Sequence, residues 1–282
     1  MIKISIITVT YNSIQYLAET IQSMRDQTYL NVEYIVIDGG STDGTLKYLY
    51  ESKQFDQIVS EKDGGIYDAL NKGLKLASGD IIGILHSNDL FASDQTLQEI
   101  RNAFSSGKKK DIVYGDLDYT EADNTNHILR SWVSQSFKPG LIQRGWMAPH
   151  PTLFIRREVY EKHGFYNIKY KISADYDYMI RLFQDVMLTT FYLPKVLSKM
   201  RKGGVSNTGI NNLITKSKED YLIIKHHKIS FPLWVLFLKN ITKLPQLFLR
   251  NQNNIKSNLQ TNHSQTYSNI PSVKVSHQLL GS

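Results

Sequence analysis

The chain has 282 residues, 41% of them hydrophobic, enough for one large domain or two small ones with a sizeable core. It contains no cysteine, which excludes disulfides and thiolate metal sites and fits a reducing compartment. The net charge of +7 is concentrated late in the chain, where 11 Lys or Arg face only Glu219 and Asp220 between Lys195 and Arg250. The opening MIKISIITVTYN has no basic region ahead of a long apolar run, so no secretory signal is expected. No apolar run reaches about 18 residues, so no transmembrane helix is expected either.

The first 115 residues alternate between two patterns. KISIITVT (3–10), VEYIVID (32–38), DQIVS (56–60), DIIGIL (80–85) and DIVYG (111–115) read as strands. Between them, Ile14, Leu17, Ile21 and Met24 recur at helical spacing after Ser13, a candidate N-cap, and 43–52, 66–77 and 95–105 behave alike. Apolar strands separated by amphipathic helices predict an α/β fold with a mainly parallel sheet covered on both faces. In such sheets ligands bind beyond the carboxyl ends of the strands. Those ends are polar throughout: Thr10-Tyr11-Asn12, then Asp38-Gly39-Gly40-Ser41, then Glu61-Lys62-Asp63-Gly64-Gly65, then His86-Ser87-Asn88-Asp89. Each alone reads as a turn or a cap. Together on one edge they read as a ligand site.

Residues 116–200 lose the alternation and are expected to mix strands with short helices; GWMAPHPTLFIRRE (145–158) and SADYDYMIRLF (173–183) stand out. FPLWVLFL (231–238) is apolar but too short to span a bilayer, and Lys225, Lys228, Lys239, Lys243 and Arg250 surround it. It suits a helix lying on an anionic membrane surface, or one packed on the rest of the protein. From Asn251 the composition is polar and predicts a disordered tail, dispensable for chemistry.

DGGSTDGT (38–45) has two glycines at P-loop spacing, but Thr45-Leu46 follow where a Lys and a Ser or Thr are required, and Ser41 stands at the third glycine of a dinucleotide fingerprint. ATP hydrolysis and NAD binding are therefore disfavoured.

Five segments, TVTYN (8–12), DGGSTDGT (38–45), EKDGGIYDALNKGLKLASGD (61–80), LHSNDLF (85–91) and ADYDYMIRL (174–182), resemble in order and spacing the family 2 inverting glycosyltransferases, nearest the bacterial branch that builds surface polysaccharides. The resemblance covers about residues 1–200 and implies a GT-A type nucleotide-diphospho-sugar transferase fold, with a nucleotide half (1–115) and an acceptor half (116–200). Residues 201–250 then form a basic and apolar helical segment, and 251–282 the tail.

The resemblance also implies roles. Thr10, Tyr11, Asp38, Asp63, Asn71 and Asn88 fall on the donor side, with Tyr11 packing near the base and Asp38 accepting from the N3–H of a uracil or thymine. Asp89 matches the last acid of the Asp-x-Asp-like motif that holds Mg²⁺ or Mn²⁺ on the diphosphate. The pattern departs here: Asn88 stands where a second Asp is frequent, and His86 where Asn is. Asp175 matches the general base, with Asp177 its rival, and His150 and Arg157 fall near the acceptor side. The donor implied is a UDP- or dTDP-sugar, the acceptor a saccharide, in particular a lipid-linked one. The location implied is cytoplasmic, with peripheral contact on the inner membrane face. A sugar-phosphate nucleotidyltransferase would need a basic glycine-rich loop near the N-terminus, which TVTYNSIQYLAE lacks. A nucleic-acid partner has only the basic third in its favour and is not expected.

Overall fold

The computed structural model describes residues 1–203 and 210–241; Lys243, Arg250 and the expected tail lie outside the described residues. The first half alternates as its pattern predicts: β1 (Ile4–Thr10), α1 (Ile14–Arg25), β2 (Val32–Asp38), α2 (Thr45–Ser52), β3 (Gln57–Ser60), α3 (Ile66–Leu76) and β4 (Ile81–Ile84). Then come β5 (Asp89–Phe91), α4 (Thr96–Ser105), β6 (Ile112–Thr120), β7 (Ile128–Trp132), β8 (Phe154–Arg156), α5 (Arg157–His163), α6 (Ala174–Gln184) and β9 (Thr190–Arg201). Two helices follow, α7 (Ile210–His226) and α8 (Pro232–Ile241).

The nine strands among the described residues share one sheet, in the order β3-β2-β1-β4-β8-β6-β9-β5, with β7 paired to β6. β3, β2, β1 and β4 are mutually parallel, whereas β8 runs antiparallel to both its neighbours and joins the two halves of the chain. Alternate residues of each strand face opposite sides. Ile7, Val9, Ile35 and Ile37 pack under α3, while Ile4, Ile6, Tyr34 and Val36 pack under α1 and α4. Two apolar faces make the strand sequences apolar throughout. α3 sits close on the sheet at Gly73, where a Cβ would lie 2.5 Å from Ile7 Cγ2.

The structure departs from the sequence reading beyond Gly115. β6 continues through Asp116 and Asp118, because a second layer of polar groups receives them. Ser134 N–H and the Tyr192 hydroxyl each donate to Asp116 Oδ1 at 2.8 Å, and Ser131 Oγ donates to Asp118 Oδ1 at 2.6 Å. Acids satisfied by neighbouring strands are invisible to a hydrophobic pattern.

At the opposite edge from the strand ends, Glu33 anchors the start of β2. Its carboxylate accepts from Lys3 Nζ at 2.9 Å, from Ser78 N–H at 2.8 Å, from Ser78 Oγ at 2.6 Å and from Ser5 Oγ. Burial raises its pKa, but these donors prevail and bring it to about 2 from 4.5. A carboxylate depressed on folding stabilises fully above its unfolded pKa and loses that contribution as pH falls through the folded one. Acid titration of the fold should therefore show a loss of roughly 3 kcal/mol between pH 4.5 and about 2 that is absent in Glu33→Gln.

α8 has two faces. Val235 and Lys239 are buried, with Lys239 Nζ 2.7 Å from Asp220 Oδ2 of α7 and 3.2 Å from the ring centre of Tyr176 on α6. Phe231, Leu233, Trp234, Phe237 and Ile241 are exposed, with Trp234 and Phe237 stacked at 5.4 Å. The apolar run thus packs on the protein along one side and presents an apolar strip on the other. Among the described residues no helix is long and apolar enough to cross a membrane. Removing one partner of a buried ion pair strands the other, so Lys239→Ala should destabilise by about 3–5 kcal/mol, and Lys239→Ala/Asp220→Ala should recover part of that loss in urea unfolding.

Candidate active site

The register of β1, β2 and β3 sets Thr10 beside Asp38 and Asp38 beside Ser60, and Leu85 N–H continues the ladder from Ile7 O. The polar ends therefore converge on one edge. Asn12, at φ +48°, ties the first two loops together: its Oδ1 accepts from Thr42 N–H and its N–H donates to Ser41 Oγ, both at 2.8 Å. Thr10 Oγ1 is buried at this edge without a partner among the described residues.

Asp38 is fully buried, and its acceptor capacity is already engaged. Oδ2 accepts from Gly40 N–H at 3.1 Å, Ser41 N–H at 3.0 Å and Ser60 Oγ at 2.7 Å, and Oδ1 accepts from Ser41 Oγ. These donors set the carboxylate beneath the loop, which it shapes. The carboxylate at the surface is that of Asp63. A Cβ on Gly39 would lie 2.6 Å from Asp63 Oδ2 and 3.4 Å from Tyr11 Cδ2. The absent side chain at Gly39 is thus what admits Asp63 next to the exposed Tyr11 ring. Gly65 N–H holds Asp63 Oδ1 at 2.9 Å.

Asn71 is turned away from this edge. Its Nδ2 donates to Tyr166 O at 2.9 Å and its Oδ1 accepts from Tyr166 N–H at 3.0 Å. Both ends of the amide secure the segment ahead of α6.

Asp89 opens β5, paired with Met200 of β9, so it caps no helix. It is buried, and burial pushes its pKa up to about 7 against the opposing pull of Arg201. Arg201, also buried, donates from Nη1 to Asn88 O and from Nε to Ala122 O, each at 2.9 Å, and pairs with Glu19. The guanidinium fixes the loop that carries Asp89. Sequence reasoning missed it, because a basic residue in a basic third reads as surface charge. Asn88 Oδ1 is buried beside Asp89 without a partner among the described residues. A hard divalent ion takes oxygen ligands. The Asp89 carboxylate and this orphaned amide oxygen fit one, and among the described residues no cluster of three His, Cys, Asp or Glu encloses one. The oxygens present suit an ion that arrives with a diphosphate.

On the other wall, Asp175 lies in the first turn of α6. The Tyr67 hydroxyl is 3.0 Å from its Oδ1 and 2.7 Å from Ile172 O, and His150 Nδ1 is 3.3 Å from its Oδ2. His86, from the end of β4, meets the His150 ring edge-on at 5.6 Å. Glu219 of α7 holds the approach to α6, accepting from the N–H groups of Lys171, Ile172 and Ser173 at 2.8, 2.9 and 2.9 Å. Burial works to raise the Asp175 pKa, but His150, Lys239, Lys216 and the Tyr67 hydroxyl together hold it below the ordinary value. Burial drives His86 down to about 3, and also lowers His150. Both imidazoles are therefore neutral at pH 7.

Asp177 points elsewhere. It is buried between Arg181 and His227, each 2.9 Å from its carboxylate. Arg157 is also remote: it pairs with Glu161 at 2.9 Å, and its N–H meets Asp80 O at the amino end of β4.

Comparisons with known proteins bear on the family and the fold. Residues 5–165 match the domain described as Glycosyl transferase family 2. The chain is 30% identical over 221 residues to the PGL/p-HBAD biosynthesis glycosyltransferase of Mycobacterium tuberculosis, covering 75% of this chain and 82% of that protein. Among solved structures it resembles residues 1–349 of S. aureus TarS in complex with UDP-GlcNAc, with a TM-score of 0.63, 18% identity, and coverage of 80% of this chain and 65% of that one. Against a longer TarS structure the chain spans 39% of the length. It also resembles the mannosyltransferase PcManGT of Pyrobaculum calidifontis in complex with GDP-Man and Mn²⁺, with a TM-score of 0.58, 16% identity, and coverage of 94% and 81%. The fold is GT-A, and the chain is a glycosyltransferase that belongs to glycosyl transferase family 2.

Proposed function

We propose that this enzyme transfers one sugar, with inversion, from a UDP- or dTDP-sugar to a saccharide acceptor in the synthesis of a bacterial surface polysaccharide. The observation that carries the reading is the pairing of two walls. Strand ends with orphaned polar atoms, Thr10 Oγ1 and Asn88 Oδ1, form one; the held carboxylate Asp175 forms the other.

Each residue then has a chemical task. The Tyr11 ring covers the base, and Asp63 Oδ2 accepts its N3–H, a proton that only an acceptor can receive. Asp89, with Asn88 beside it, would hold Mg²⁺ or Mn²⁺, which when bound would offset the charge that develops on the departing diphosphate. Arg201 keeps that loop in place. Asp175 supplies the negative charge that makes the acceptor hydroxyl a competent nucleophile. An in-line displacement at the anomeric carbon follows, with the two walls on opposite sides of the sugar.

The acceptor in this reading is lipid-linked. Support comes from the exposed strip on α8, where aromatic and aliphatic side chains project from a basic segment. The protein should bind vesicles containing anionic lipid, and Trp234→Ser/Phe237→Ser should weaken that binding. Sedimentation with neutral and anionic vesicles at low and high salt measures this; equal indifference to both removes the membrane from the reading.

The main test is hydrolysis of a panel of UDP-, dTDP- and GDP-sugars by the purified chain with Mn²⁺. Turnover of a uridine or thymidine donor, lost on Asp63→Ala, is expected. Preference for a guanosine donor would overturn the assignment of Asp63.

A further inference from the structure

We propose that a cavity beside the transfer site binds an acidic sugar of the acceptor glycan, one that carries a carboxylate or a phosphate. The proposal rests on the glycosyl-transfer reading above and names the class of acceptor for it.

The cavity has a volume of about 470 Å³, and Trp132, Ser134, Gln135, Arg144, Trp146 and Lys239 are among its walls. That volume lies within the roughly 300–1,000 Å³ typical of small-molecule sites. Three pieces of chain enclose it. β7 ends at Trp132 and the backbone runs on to Gln135, the 3-10 turn Ile142–Arg144 stands opposite, and α8 closes the side. Gly145, at φ +74°, lets α8 approach: a Cβ there would lie 2.3 Å from Lys239 N.

Sheet register sets the cavity next to the transfer site. Asp89 pairs with Met200, Met200 with Tyr119, and Tyr119 with Arg130. Residues paired across strands face the same side of a sheet. Trp132 stands two residues beyond Arg130 and shares that face. Three strand spacings, roughly 14 Å, separate Asp89 from Arg130. At the far wall, Lys239 Nζ lies 3.2 Å from the ring centre of Tyr176, the residue after Asp175. Neither Asp89 nor Asp175 lines the cavity. It therefore receives a neighbour of the accepting sugar and not that sugar itself.

The lining chemistry selects the class of ligand. It includes two cations and no acid. Lys239 is already answered by Asp220 Oδ2 at 2.7 Å. The Arg144 guanidinium makes no hydrogen bond or ion pair among the described residues. Its planar fork of donors matches the oxygens of a carboxylate or a phosphate. Ser134 is 9% exposed, and its Oγ is buried without a partner among the described residues, while its N–H is bonded to Asp116. Trp132 and Trp146 offer apolar ring surface to the C–H face of a sugar, and neither indole N–H has a hydrogen-bond partner among the described residues. The Trp146 ring is set in place by Phe137 at 5.4 Å and Phe183 at 5.3 Å. Two indoles suit a saccharide, and one unopposed guanidinium suits a negative charge on it. A neutral sugar would leave that guanidinium without an acceptor of matching charge.

The tryptophans make the test site-specific, because the chain has only Trp132, Trp146 and Trp234. Indole ¹H–¹⁵N spectra of the full chain, assigned with single Trp→Phe variants, are recorded without divalent metal during titration with glucuronic acid, glucose 1-phosphate, methyl glucoside and inorganic phosphate. Trp132 and Trp146 should shift with at least one acidic sugar, and Trp234, exposed on α8, should not. Affinity for that sugar should exceed affinity for methyl glucoside by about tenfold or more, the worth of hydrogen bonds to a charged group. Arg144→Ala should remove the preference, and Arg144→Lys should keep part of it. A response to glucuronic acid alone assigns a carboxylate, and a response to glucose 1-phosphate alone a phosphate. Equal affinity for methyl glucoside, a preference that survives Arg144→Ala, or an equal response to inorganic phosphate would overturn the proposal. The titration needs no donor. The expected shifts in a chain inactive toward every nucleotide sugar would count against the transfer reading and leave the acidic-sugar site standing. Donor turnover with silent indoles would remove the site alone.

Discussion

Replacing Asp89 with Asn should abolish the metal dependence of donor binding and lower transfer by about 10²-fold or more. The replaced group is the only carboxylate on the loop 85–91. Stabilising the charge of a departing diphosphate is worth several kcal/mol, and each 1.36 kcal/mol is about a factor of ten in rate. The Asn side chain keeps the volume and an oxygen but loses the charge. The fold should not suffer. Asp89 is buried, and burial opposes its ionised form. A group whose charge is costly to the folded state marks a site. Calorimetry of UDP binding with and without Mn²⁺, beside thermal unfolding of the same variant, separates the two effects. Metal-dependent binding equal to the parent would sink the assignment of Asp89.

Arg201 adds to that picture. Any change there should act through the same loop, since its guanidinium reaches Asn88 O.

The alternating half of the chain was legible because each strand there is apolar on both faces, so length and punctuation located it. Thr10, Asp38 and Asp89 could be placed on one edge for the same reason: each follows a strand whose end was clear. What each does there was not legible. Asp38 and Asp63 are the same residue type, one closing β2 and the other three residues past the end of β3. Only the empty space at Gly39 and the four donors on Asp38 show which one faces out. Asn71 is a related case. Its place in an Asn-x-Gly pattern says that it matters, and the structure shows that it secures Tyr166. The second half was harder because β6 carries Asp116 and Asp118, met by Ser131, Ser134 and Tyr192, and β9 carries Lys195, paired with Glu99 of α4. The apolar run 231–238 was ambiguous between packing and exposure because α8 does both.

Replacing Asp175 with Asn should lower transfer on the order of 10²- to 10⁴-fold while leaving donor and metal binding nearly unchanged. The donor wall is built from the ends of β1 to β4, and among the described residues none of its hydrogen bonds reaches Asp175. The amide keeps the size of the carboxylate and still accepts from Tyr67. It cannot take up the proton that leaves the acceptor hydroxyl as the new bond forms. Asp177→Asn is the matching control, two residues along the same helix. That carboxylate is buried between Arg181 and His227, so its loss leaves the Arg181 guanidinium and the His227 ring without the acid they bond to. The expected cost falls on stability, about 3–5 kcal/mol, with the rate per folded molecule near that of the parent. Urea unfolding and single-turnover transfer on both variants make the comparison. A collapse of donor affinity in Asp175→Asn would move that residue to the donor wall. A rate loss confined to Asp177→Asn would exchange the roles of the two acids.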